Sequence, residues 1–247
     1  MISGFKYYIM HLEKPDKEQA CMIESQEREY KMAADISKLL ESIIEKMDLI
    51  EADEIPNIDL YMDQVTTFME SHLGNLKRNP EDKVLTKTMI NNYAKTELLP
   101  SPDKKKYSKN HVIMLTFIYY FKNVLSISDI KTLMRKITAG HFKEGSKPEM
   151  KEIYNEILQF QPDIIEMVKA DLEKKTELAE KFFPDLPEDA EYLRLFSLLC
   201  FLSFDVYLKK TLVEAVIDKL ELQERDRREK KAKEKPKEKT NHGISES

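Results

Sequence analysis

Tryptophan is absent from the 247-residue chain, glycine occurs only five times and cysteine only twice. So little glycine leaves too few tight turns for a hairpin-rich sheet, and the expected fold class is all-α. Cys21 and Cys200 stand far apart and outside any paired spacing. Neither a disulfide framework within the chain nor a thiolate zinc site is expected, and the implied compartment is reducing and cytoplasmic. Long hydrophobic runs are missing as well. The most apolar stretch, Leu195 to Phe204, is about half of what a bilayer span requires, so no membrane partner is expected. The opening MISGFKYYIMHLEK offers only Lys6 ahead of a short apolar stretch, too little for a secretory signal. The histidines His11, His72, His111, His141 and His242 are scattered without HExxH spacing, and no glycine precedes a P-loop lysine. No metal, no cofactor and no enzymatic activity are expected.

Charge is plentiful: 34% of residues are Asp, Glu, Lys or Arg, and the net charge is -5. An acidic total argues against nucleic acid, because neutralising phosphates takes Lys and Arg. The distribution argues the other way. Between Leu85 and Asn110 there are six lysines against two acids, a local excess of four positive charges. An acidic protein with one basic face is steered by that face.

Apolar periodicity divides the chain into helices. Residues 1–23 read as a poorly ordered start, and 24–56 as a helix whose stripe is Met32, Ile36, Leu39, Leu40, Ile43, Ile44, Met47 and Ile50. Asn57 or Asp59 can cap the next helix, with Met62, Val65, Phe68, Met69 and Leu73 inward and Gly74 as its stop. A short helix is expected from Thr86 or Lys87 to about Thr96, barred from continuing by Pro100 and Pro102. Ser108 opens a helix that is apolar on most sides, as suits the middle of a core. Ser126 or Ser128 caps another, with Gly140 just past its end. Residues 141–223 read as a helical C-terminal domain for dimerisation or sensing. Within it Pro148 suits a first helical position, Pro162 separates two helices, and a long helix runs from about Glu188 past Leu222. The aromatic stretch Tyr192, Phe196, Phe201, Phe204 and Tyr207 is expected in the core rather than in a ligand pocket, with Cys200 inert inside it. The mixed-charge segment 224–247 is expected to fray into disorder.

Residues 57–140 carry the functional signal. On the helix from Thr86, the residues Ile90, Tyr93, Ala94 and Glu97 share one face, which turns Lys87, Thr88, Asn91, Asn92 and Lys95 outward. Tandem asparagines are poor helix formers, and an exposed Asn can pair with both N6 and N7 of adenine. Their alternative is plain solvation. Lys104, Lys105 and Lys106 form a compact cationic run able to hold phosphates, as is Lys109. Tyr107 is either a phosphate donor or, more often at such a position, a core plug.

The order of these pieces resembles the DNA-binding domain of the mercury-resistance (MerR) regulators. There a recognition helix ends in a Tyr, a basic residue and Leu-Leu-Pro, here Tyr93, Lys95 and Leu98-Leu99-Pro100. After a basic wing come Tyr-Ser and an apolar helix, here Tyr107-Ser108 and Val112 to Ile118, then a helix opened by Ser and an aliphatic residue, here Ser126-Ile127. The wing is short, Ser101 to Lys106, and lacks its usual turning glycine. The resemblance is closer still to a Gram-positive bacterial family known as domain of unknown function 1836, whose members share this module and a helical C-terminal region. It implies a MerR-like winged helix-turn-helix with a flanking N-terminal helix and a C-terminal helical bundle. It also implies a dimeric, sequence-specific transcription regulator with double-stranded DNA as partner, and it leaves a small-molecule effector open. The alternative expectation is a helical protein-protein adaptor that has lost DNA binding.

Overall fold

The computed structural model describes residues 35–47, 49–184, 186 and 190–234. The expected poorly ordered start, the first part of the N-terminal helix and the last thirteen residues lie outside the described residues. The described chain is predominantly helical, so the all-α expectation holds. A helical stretch over 35–46 precedes strand β1 (Leu60–Tyr61) and helix α1 (Met62–Leu73), which a 3-10 turn at Gly74–Leu76 follows. Then come α2 (Lys87–Lys95), strand β2 (Lys106–Tyr107), α3 (Lys109–Phe121), α4 (Ile127–His141), α5 (Met150–Leu158), α6 (Gln161–Glu180) and α7 (Ala190–Glu234). The chain falls into two units. One takes in Ile50–Gly74, Asn79–Glu156 and the chain from Val206 onward, and the other the chain up to Leu49, Asn75–Arg78 and Ile157–Asp205.

The first of these units is built around α3. Val112, Ile113, Met114, Leu115 and Ile118 are fully buried, which explains a helix apolar on most sides. Val65 and Met69 of α1, Ile90 of α2, Ile130 and Met134 of α4 and Met150 of α5 are buried in the same unit. Thr116 is buried too, its hydroxyl donating to the carbonyl of Val112 at 3.0 Å. Ser108 caps α3 and Ser126 caps α4, where the Asp129 backbone N–H donates to the Ser126 hydroxyl at 3.2 Å. Gly74 follows α1 as expected, its N–H bonded to the carbonyl of Glu70.

Several expectations shift by a few residues, each for a local reason. The residue capping α1 is Tyr61 rather than Asn57 or Asp59, because Leu60 and Tyr61 are taken into β1 and the Tyr61 N–H is met by Gln64 Oε1 at 2.8 Å. Gly140 lies inside α4, which runs on to His141. Helix α5 starts at Met150 rather than Pro148, and the Glu152 carboxylate accepts from the Glu149 N–H at 2.8 Å. Glu97 stands beyond the end of α2, exposed, and does not share the buried face of Ile90 and Tyr93.

Larger corrections concern α7. Beyond Gln223 the charged segment does not fray but stays helical as far as Glu234. Its Glu, Lys and Arg are strong helix formers, Arg225 bridges to Glu221 at 2.7 Å, and Glu224 is paired with Arg135 of α4. The aromatic stretch is not core: Tyr192, Phe196, Phe204 and Tyr207 are all exposed, with Phe204 at 61%. Cys200 is exposed among them rather than enclosed. The unit holding α6 and the first part of α7 buries Ala179, Ala190 and Leu198, and Lys175 of α6 pairs with Asp171 and, at 3.1 Å, with Asp205. No helix among the described residues is long and apolar enough to cross a membrane.

Candidate nucleic-acid interface

Helix α2 begins where Thr86 Oγ1 accepts the backbone N–H of Met89 at 3.1 Å, satisfying one of the orphan donors of the first turn. Ile90 and Tyr93 are its buried residues. The helical period of about 3.6 residues per turn then leaves Lys87, Thr88, Asn91, Asn92 and Lys95 on the exposed side, as their spacing predicts. Lys87 is not free there: its ammonium is paired with Asp63 in the first turn of α1. Lys95 sits in the last turn, where a cation also suits the negative end of the helix dipole.

The helix ends on a Schellman motif. The N–H of Leu98 reaches the carbonyl of Tyr93 at 2.9 Å and the N–H of Glu97 that of Ala94 at 3.1 Å, while Tyr93 and Leu98 are both buried. The residue between them must be left-handed, a place glycine normally takes. Here it is Glu97, with φ of 59°. Its carboxylate is 3.5 Å from the ammonium of Lys131 on α4.

Leu98 and Leu99 are buried, and the chain then turns at Asp103 to Lys106. The Lys106 N–H donates to the Asp103 carbonyl at 2.8 Å, and both central residues have positive φ, 46° at Lys104 and 66° at Lys105. That is the sign pattern of a type I′ turn, which favours Asn and Gly. Two lysines accept the left-handed region at a cost of about 1 kcal/mol each. The turn thus closes without the glycine it would ordinarily use. Lys104 and Lys105 are exposed, and among the described residues no ion pair holds Lys95, Lys104, Lys105 or Lys106.

After the turn, β2 pairs antiparallel with β1 in the register Leu60 to Tyr107 and Tyr61 to Lys106. This register decides the fate of two expected site residues. Tyr107 is only 3% exposed, and burial pushes its phenol pKa up. It is a core plug, and the expected phosphate role at this position is corrected. Lys109 donates to Asn57 Oδ1 at 3.0 Å, with burial lowering its pKa. It serves first as a tie between α3 and the chain ahead of β1.

Sequence reasoning missed Tyr61. Lys106 Nζ stands 5.4 Å from the centre of its ring, within reach of a cation-π contact. Nothing local in the sequence marks a two-residue strand whose partner lies more than forty positions away. Behind β2, His111 is 5% exposed. Its Nδ1 accepts the Ser108 N–H at 3.0 Å, and its ring lies edge-on to Tyr107 and Phe142. Burial lowers its pKa. Among the described residues no three or more His, Cys, Asp or Glu gather as a metal would need.

Residues 50–157 match the family model described as Domain of unknown function (DUF1836). The DUF1836 segment contains the whole candidate interface, from Tyr61 through the lysine turn to Lys109, together with α1 to α4. No curated protein and no solved structure matches the chain. The first residue of the DUF1836 segment, Ile50, is fully buried, so the match begins where this core begins.

Proposed function

We propose that the protein is a sequence-specific DNA-binding transcription regulator of the MerR-like helix-turn-helix type, acting in the cytoplasm without enzymatic activity. The observation that carries the reading is the lysine turn. Two consecutive lysines occupy left-handed backbone where glycine would be cheaper, and strain of this kind persists where the side chains are needed. The exposed Lys, Thr and Asn side chains of α2 supply base-edge chemistry on a helix that ends a few residues earlier. In this reading α2 enters the major groove, Asn91, Asn92 and Lys95 read bases, and Lys104 to Lys106 hold phosphates.

The regulator acts as a homodimer, since two half-sites roughly add their binding energies. The exposed apolar side chains of α7, among them Leu208, Leu212, Val216 and Leu222, support an assembly that covers them. The same surface favours the second reading, a helical adaptor for another protein. Selection from random duplex DNA, read by gel shift, separates the two. Enrichment of a palindrome supports the regulator; no enriched duplex, with binding too weak to shift any DNA, favours the adaptor.

A further inference from the structure

We propose that Tyr61 is a phosphate-contacting residue, acting with Lys106 as a two-part clamp on the nucleic-acid backbone beside the lysine turn. The inference rests on the DNA-binding reading and extends it to a strand outside both α2 and the turn. Four observations converge on the residue.

Tyr61 stands directly opposite Lys106 in the β1–β2 pair, so its position is set by main-chain register rather than by side-chain chance. The Lys106 ammonium lies 5.4 Å from the ring centre. A lysine held over an aromatic face loses part of its rotamer freedom before any ligand arrives, which lowers the entropy cost of a later contact. Tyr61 is 55% exposed, far more than the 3% of Tyr107 on the partner strand, so one tyrosine of this small sheet packs and the other faces solvent. Finally, the main chain that carries the ring is pinned, since the Tyr61 N–H is met by Gln64 Oε1 at 2.8 Å.

A solvent-facing phenol beside an ammonium held by no ion pair suits a phosphate diester: the hydroxyl donates to one non-bridging oxygen while the ammonium supplies charge. The two parts leave different signatures. Lysine displaces a condensed counterion and so contributes to the salt dependence of binding, whereas the neutral phenol contributes affinity with no such term. A ring that merely covers the strand edge would contribute to neither.

The test uses the full-length chain and a fixed duplex that the wild type binds, titrated across a salt series, with thermal melting of each variant. Tyr61→Phe is expected to melt as the wild type does and to bind about tenfold more weakly, as loss of a hydrogen bond to a charged group implies, with the slope of log K against log salt unchanged. Lys106→Gln is expected to lower that slope by about 0.9. Tyr61→Ala, which also releases Lys106, is expected to lose affinity and part of the slope together. Wild-type affinity in Tyr61→Phe would overturn the clamp, and a loss confined to Tyr61→Ala would leave the ring as a support for Lys106 only. Failure of the wild type to bind any duplex would instead overturn the DNA reading itself, a result visible before any variant is made.

Discussion

The phenol of Tyr154 donates to the backbone carbonyl of Ile50 across 2.6 Å, in a buried contact that joins α5 to the chain ahead of β1. Burial holds the Tyr154 pKa far above its ordinary value. Removing the hydroxyl leaves the Ile50 carbonyl buried and unmet, which costs about 1 to 3 kcal/mol. Tyr154→Phe is therefore expected to lower the denaturant midpoint in urea unfolding. DNA affinity measured well below the midpoint should not change, since neither residue lies at the candidate interface.

On the DNA-binding reading, salt weakens binding steeply, because the lysines of the turn would displace counterions. Lys105→Ala is expected to reduce both the affinity and the slope of log K against log salt, the latter by about one unit. Gel-shift titrations at four salt concentrations would show it. An unchanged slope would remove the turn from the contact surface.

Asn91→Ala and Asn92→Ala should act on specificity. Both side chains are exposed on α2 and alanine favours helix, so folding should hold or improve slightly. Losing one adenine contact is expected to cost about 1 to 3 kcal/mol on a cognate site and little on scrambled DNA. Paired titrations at one salt concentration measure the ratio, and a ratio equal to the wild type's in both variants would mean that these residues read no bases.

The lysine turn sets stability against binding. Lys105→Gly is expected to stabilise the fold by about 1 kcal/mol, since glycine takes positive φ without penalty, while weakening DNA binding. Glu97→Gly tests the first half alone: the same relief at the end of α2, with little loss of affinity. Melting temperature against affinity for the two variants distinguishes strain kept for function from strain without consequence.

His111 gives the fold a pH dependence whose sign follows from burial. Its folded pKa lies below the ordinary value of 6.5, so the stabilisation is fully present above that pH. It is lost as pH falls through 6.5 toward the folded value, because the unfolded chain takes up the proton first. Protonation would also put a hydrogen on the Nδ1 that accepts from Ser108. Asp53, whose pKa its hydrogen bond to Lys151 lowers from 3.8, titrates in a separate, more acid window. Unfolding midpoints at pH 7.5 and 5.5 should fall in the wild type and much less in His111→Asn.

What the sequence made legible was local. The caps at Ser108 and Ser126, the apolar surround of α3 and the outward residues of α2 follow from a helix period and a hydroxyl at the right offset, each within a few residues. The pairing of Tyr61 with Lys106 was not legible, because two residues carry no alternation and their partners lie far along the chain. The left-handed lysines are hidden for a different reason: glycine is the residue that marks such a turn in a sequence, and here sterically costly residues take its place. The exposure of Phe204 and Tyr207 escaped as well, since an aromatic stripe has the same spacing whether its cover is the chain's own core or another surface.

Both backbone polar groups of Val84 are taken by side chains, one from α1 and one from just past α3. Its N–H goes to Glu70 Oε2 of α1 at 3.1 Å, and its carbonyl accepts from Lys122 Nζ, just past α3, at 2.7 Å. Val84 itself is buried. Whatever the length of chain between α1 and this point, α2 is capped by Thr86, two residues past the same fixed post. Extra residues inserted within Asn79–Lys83 would therefore lengthen the loop without re-aiming the helix.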